Sequence, residues 1–118
     1  MTDTEKNLAT VRRFWDAIGS GDVDAYLATF APGAVARDPV NRPPLETDDQ
    51  RRAYLEGVLG AFTDIRVAID FVTSCGDHTA SKWTLDAKGS DGSDVRLEGI
   101  DVARHAEDGR IAELWGFF

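Results

Sequence analysis

Apolar residues recur at helical spacing through the first part of the chain. Leu8, Val11, Phe14, Trp15 and Ile18 fall on one stripe, the period of a helix buried on one side. Thr2 and Glu5 stand ahead of it at capping-box separation, and Gly19-Ser20-Gly21 ends it. Asp22 is placed to cap a second helix whose stripe is Val23, Tyr26, Leu27 and Phe30, closed by Ala31-Pro32-Gly33. Residues 34–38 predict a short strand running into Asp38-Pro39. The segment from Pro39 to Glu46 holds three of the four prolines and reads as a loop. Thr47 and Gln50 repeat the capping-box spacing and open a third helix through Gly60, with Leu55, Val58 and Leu59 inward.

The period then changes to two. Ile65, Val67, Ile69 and Phe71 alternate with Arg66, Ala68 and Asp70, the pattern of a half-buried strand over 65–72. After a Gly76-Asp77 turn, Trp83, Leu85 and Ala87 alternate with Lys82, Thr84 and Asp86 in a strand over 81–88. Gly89-Ser90-Asp91-Gly92 is a hairpin signal, residues 95–106 a long strand, Glu107-Asp108-Gly109 a turn, and 110–118 a closing strand. Helices followed by antiparallel hairpins predict an α+β fold: three N-terminal helices packed on one face of a curved, mainly antiparallel sheet. A curved sheet under helices encloses a concavity, which is where a ligand is expected. At 118 residues the chain is expected to form one domain, spanning 1–118.

Charge and cysteine usage narrow the function classes. A net charge of −8 excludes the clustered Lys and Arg that phosphate backbones require, so no nucleic-acid partner is expected. No apolar run approaches membrane-spanning length, and the N-terminus lacks the apolar stretch of a secretory signal. One cysteine, Cys75, allows no internal disulfide and fits a reducing, cytoplasmic setting. His78 and His105 share no ligand spacing with Cys or carboxylates, and no phosphate loop is present, so neither metal nor cofactor is expected.

Two carboxylates carry the candidate chemistry. Asp38 ends a short strand beside a proline, between apolar elements. Asp101 shares a strand face with Gly99, Ala103 and His105, while Ile100 and Val102 occupy the other. By pattern alone that face is equally compatible with solvent. Enclosed, Asp101 would be a desolvated carboxyl that retains its proton, and two carboxyls in unlike surroundings divide acid and base roles. His105 lies about 13 Å along the strand from Asp101, at about 3.3 Å per residue, toward the end of the sheet. Apolar residues on the Ile100 face need cover, which predicts a homodimer.

The run Phe14-Trp15-Asp16-Ala17-Ile18-Gly19-Ser20-Gly21-Asp22, then Ala34-Val35-Ala36-Arg37-Asp38-Pro39 and Arg42-Pro43-Pro44, resembles bacterial ketosteroid isomerase. So do Gly99-Ile100-Asp101-Val102-Ala103-Arg104 and Asp108-Gly109-Arg110-Ile111. The resemblance covers nearly the whole chain and implies the cone-like fold of nuclear transport factor 2-like and SnoaL-like proteins. It implies Asp38 as the general base moving a proton beside a ketone, and Asp101 as the protonated carboxyl of an oxyanion hole. It also implies a cavity for a small hydrophobic, steroid- or polyketide-like molecule, lined by Phe14, Trp15, Phe30, Leu55, Leu59, Trp83 and Leu85, with Phe118 near its rim. The family's oxyanion tyrosine aligns with Phe14, and its supporting tyrosines with Phe30 and Leu55. Tyr26 and Tyr54 are displaced from those positions and are expected to point elsewhere, leaving the Trp15 or Trp83 indole as a substitute donor. Losing one oxyanion donor costs about 10²–10³ in rate.

Four readings follow. The first is an isomerase-like proton transfer with Asp38 as base. The second is a non-catalytic module that binds a small apolar ligand or dimerises. Below these stand a SnoaL-like polyketide cyclase and a limonene-type epoxide hydrolase, the last needing an Asp-Arg-Asp set for which only Arg96 and Asp101 are available.

Overall fold

The structure, a computed structural model, describes residues 2–118. Three helices, α1 (Asp3–Ser20), α2 (Val23–Ala28) and α3 (Asp48–Ala61), accompany five strands: β1 (Phe30–Arg37), β2 (Thr63–Cys75), β3 (His78–Lys88), β4 (Asp94–His105) and β5 (Ile111–Phe117). The caps form as their sequence spacing predicts. Thr2 accepts from the Glu5 backbone, Asp22 accepts from Ala25, and Thr47 with Gln50 makes a complete reciprocal box at the start of α3. Gly21 takes the left-handed conformation, φ 71°, that closes α1.

The strands form one sheet in the order β1-β5-β4-β3-β2. Only the β1–β5 pair is parallel; the other three are antiparallel. Two boundaries differ from the sequence reading. α2 stops at Ala28, and Phe30 begins β1 instead of completing the helical stripe. Asp38 lies just beyond β1 and not within it. An irregularity between Ile69 and Phe71 breaks the alternation of β2, so Phe71 is 63% exposed and Val72 packs toward the core in its place. One inserted residue reverses the faces of everything after it, a change that period-two reading does not register.

Strand β3 buries Thr79, Ser81, Trp83, Leu85 and Ala87, and β4 buries Gly99, Asp101, Ala103 and His105. The Asp101 face is therefore the inner one, against the helices. Ile100 and its cross-strand partner Phe117 remain exposed on the outer face. Inside, Phe14, Tyr26 and Phe30 form an aromatic cluster with ring centroids 5.2–6.1 Å apart. His105 is a satisfied core group: one ring nitrogen lies 2.8 Å from the Thr79 hydroxyl and the other 2.8 Å from the Gly109 carbonyl.

Arg51 ties α3 to the segment that carries Asp38. Its guanidinium, almost fully buried over the Phe30 ring, donates to the carbonyls of Ala34 (2.7 Å) and Leu45 (3.4 Å) and to Asp48 (3.0 Å). The two carbonyls flank the Asp38 loop, whose ends are also joined by backbone bonds between Ala36 and Leu45. Replacing Arg51 by Met leaves buried acceptors without a donor, worth about 1–3 kcal/mol. We expect Arg51→Met to lower the urea midpoint accordingly at unchanged m-value. Arg52→Met, which removes an exposed pair with Asp24, should leave the midpoint close to wild type.

Candidate active site

A cavity of about 560 Å³ opens between α1, α3, the loop after β1 and the inner face of the sheet. Its wall is almost entirely apolar. Asp38 is the one carboxylate on it, 8% exposed, and it reaches this position through a glycine. Gly116 lies on the inner face of β5, and a Cβ built there would collide with Asp38 Oδ1. The carboxyl thus occupies the space that a side chain at 116 would take. The cross-strand partner of Gly116 is Asp101, and opposed residues of antiparallel strands point their side chains to the same face. Both carboxyls accordingly lie side by side on the dry face of the sheet.

Asp101 is set back from the cavity. It is 5% exposed and borders a separate void of about 10 Å³, with Phe14 and Trp15 in front of it. Its Oδ1 accepts from Trp83 Nε1 at 3.0 Å, and its Oδ2 has no partner among the described residues. Gly99 stands opposite Trp83 and admits the indole: a Cβ there would come within 2.5 Å of Trp83 Cζ2.

Burial sets the protonation of both groups. Desolvation pushes the Asp38 carboxyl up to about 7. Asp101 is raised well above the usual carboxylate range, first by desolvation and then by the charge of Asp38, with the Trp83 N–H opposing. This asymmetry makes Asp38 the carboxyl that ionises first. Tyr54 lines the same cavity, and burial followed by the charges of Asp38 and Asp101 raises its phenol. Its hydroxyl makes no hydrogen bond with any described residue. The Tyr26 hydroxyl is buried without a partner and is raised chiefly by burial, then by Asp38.

Of the residues expected on the wall, Trp15, Leu55, Trp83, Leu85 and Phe118 are there. Phe14, Phe30 and Leu59 are not. Phe14 and Phe30 pack edge-on within the aromatic cluster behind the wall, and Leu59 turns toward Gly21 at the α1–α2 hinge. The expectation that Tyr54 points elsewhere is also overturned. Tyr54, Leu55, Val58 and Phe62 form one i, i+1, i+4, i+8 stripe along and just past α3, and all four line the cavity. That stripe was readable in the sequence. Trp83 is not a free donor, because its N–H is taken by Asp101. Arg96 faces the outer side of β4, bonded to Asp86 at 2.8 and 3.2 Å, so it forms no constellation with Asp101. Among the described residues no group of three His, Cys, Asp or Glu is placed to hold a metal ion, and no helix is long and apolar enough to cross a membrane.

A family model described as a SnoaL-like domain matches residues 11–114. A steroid Delta-isomerase of Nocardioides simplex is 30% identical over 112 residues, covering 93% of this chain and 87% of that protein. The Δ5-3-ketosteroid isomerase of a Mycobacterium species superposes with a TM-score of 0.82 at 20% identity, covering 96% of this chain and 92% of that one. SalBIII, an epoxide hydrolase/cyclase-like enzyme of pyran ring formation in salinomycin, superposes with a TM-score of 0.87 at 21% identity over 99% and 93% of the two chains. At these identities the two structures speak for the fold: a nuclear transport factor 2-like cone with a curved, unclosed sheet.

The raised Asp38 carboxyl has a consequence for stability. Below about pH 4 it is protonated folded or unfolded, and nothing is lost. Between there and about 7 the unfolded chain sheds the proton and the folded one keeps it, so stability falls as pH rises. Above that range the cost is complete, at most about 4 kcal/mol for three units at 1.36 kcal/mol each. Asp38→Asn should therefore gain stability over wild type progressively from pH 4 to pH 8, measured as the difference in urea midpoints. A difference that stays flat with pH would contradict the burial of this charge.

Proposed function

The chain belongs to the SnoaL-like domain family, and on that premise we propose that it binds a small apolar carbonyl compound and moves a proton between carbons beside the carbonyl, with Asp38 as general base. The observation that carries this reading is a single buried carboxyl on the wall of an otherwise apolar cavity, with a pKa near neutrality. A base of that strength is ionised in a useful fraction at pH 7 and still attracts a proton from an acidified C–H. Because the carboxyl is buried, hydration does little to weaken it as a base.

Removing the proton places negative charge on the carbonyl oxygen, which then needs a donor. Phe14 offers none. Tyr54 is the hydroxyl on the same wall, and its raised pKa keeps the proton on it throughout the working range. In this reading Tyr54 stabilises the enolate oxygen. Asp101 acts from behind the wall as a positioning residue: neutral, it holds the Trp83 indole in place and adds no second charge beside Asp38. Asp38 then returns its proton to the distal carbon, so atoms and charge balance with no co-reactant.

A Δ5-3-ketosteroid tests this directly, since its isomerisation creates a conjugated enone with its own ultraviolet absorbance. Asp38→Asn should lower the rate about 10²–10⁴-fold, and Tyr54→Phe about 10²–10³-fold. The logarithm of kcat/KM should rise with pH and level off above about 7, where Asp38 is ionised. Wild type no faster than Asp38→Asn removes the base role for this substrate class. Tight steroid binding without turnover, seen as protection against thermal unfolding, marks a binding module instead.

A further inference from the structure

We propose that the molecule this cavity takes is an amphipathic anion, an apolar skeleton with its carbonyl at the Asp38 end and a carboxylate or similar group at the mouth, where Arg42 receives it. The inference rests on the cavity reading above and adds the chemical class of ligand.

The cavity has two unlike ends. Its inner end holds the buried Asp38, with the Tyr54 hydroxyl on the same wall, a place that repels an anion and offers a donor to a neutral carbonyl. The mouth is marked by exposed lining residues, Arg42 and Leu97, the latter 39% exposed. Among the described residues Arg42 is the one cation on the wall.

Its charge is uncommitted. Of the 13 Lys and Arg, ten pair with a carboxylate. Arg12, Arg13 and Arg42 do not among the described residues, and Arg13 donates to the Thr10 hydroxyl. In a chain with 21 acidic residues, a guanidinium left without one at a cavity mouth is available to a ligand. The loop also limits where it can go. The Arg42 backbone N–H donates to the Pro39 carbonyl at 3.1 Å, and Pro39, Pro43 and Pro44 restrict the backbone on either side. A planar guanidinium on a stiff loop is suited to bidentate capture of a carboxylate.

Testosterone 17-hemisuccinate and testosterone 17-acetate share skeleton, enone and ester linkage, and differ in the terminal carboxymethyl group that gives the hemisuccinate its charge. Quenching of Trp15 and Trp83 fluorescence, both on the cavity wall, gives their dissociation constants at pH 7.5. Wild type should bind the hemisuccinate about three- to tenfold more tightly than the acetate, the range between an exposed pair and a bidentate one. Arg42→Gln should bind both alike, Arg42→Glu should prefer the acetate, and Arg42→Lys should keep part of the preference. A near-ultraviolet circular dichroism spectrum matching wild type in each variant shows that the aromatic-lined cavity is intact. No preference in wild type, or the same preference in Arg42→Gln, overturns the inference and leaves the cavity reading standing. Failure of wild type to bind either ester removes both.

Discussion

The structure turns on a carboxyl that occupies the place of a missing side chain. Gly116 opens a gap on the inner face of β5, and Asp38, arriving from the end of the parallel edge strand, fills it. A charged group would otherwise choose water; here the loop is held down at both ends, by the Ala36–Leu45 backbone bonds and by Arg51. Without those restraints the desolvation cost of the carboxylate would favour an open loop. The raised pKa of Asp38 and its contribution to the upward shift of Asp101 both follow from this one placement.

The same placement leaves polar atoms without partners in the core. Asp101 Oδ2, the Tyr26 hydroxyl and Arg51 Nε are buried and unpaired among the described residues, where most buried polar groups in folded proteins are satisfied. They cluster around the two aspartates and not at random, as the mutual electrostatic influence of Tyr26, Arg51, Asp38 and Asp101 indicates. Each unpaired buried group costs stability, so this part of the core is less stable than a fully satisfied one. The hydroxyl that faces the cavity comes from α3 and not α1, so the wall keeps a donor although position 14 is phenylalanine. Arg42 lines the same cavity, so its wall carries a guanidinium as well as the Asp38 carboxyl.

How much of this was legible depended on whether the signal was local. The three capping motifs and the apolar stripe of α1 lie within one or two helical turns, and they formed as their spacing required. The α3 stripe through Tyr54, Val58 and Phe62 is equally local, and Leu55, one residue from Tyr54, lies on the same face. Phe71 failed for a different reason: a bulge shifts register by pairing, and pairing is not written in one strand. Phe14 and Leu59 have the hydrophobicity of a cavity wall, and only packing assigned them to the core and the hinge.

By itself the sequence determined the α+β class and the order of elements, and it singled out the two aspartates as candidates, because capping, periodicity and charge in an apolar setting are short-range properties. Which face of β4 is dry was left open, since alternation defines two faces without saying which one the helices cover. Tertiary structure decided that, through the packing of α1 on β3. It also decided that Asp38 meets Gly116, that Asp101 stands behind the wall with Trp83, and that Tyr54 and Arg42 share one cavity. Each of these joins residues far apart in the chain, and only the paired sheet brings them within reach of one another.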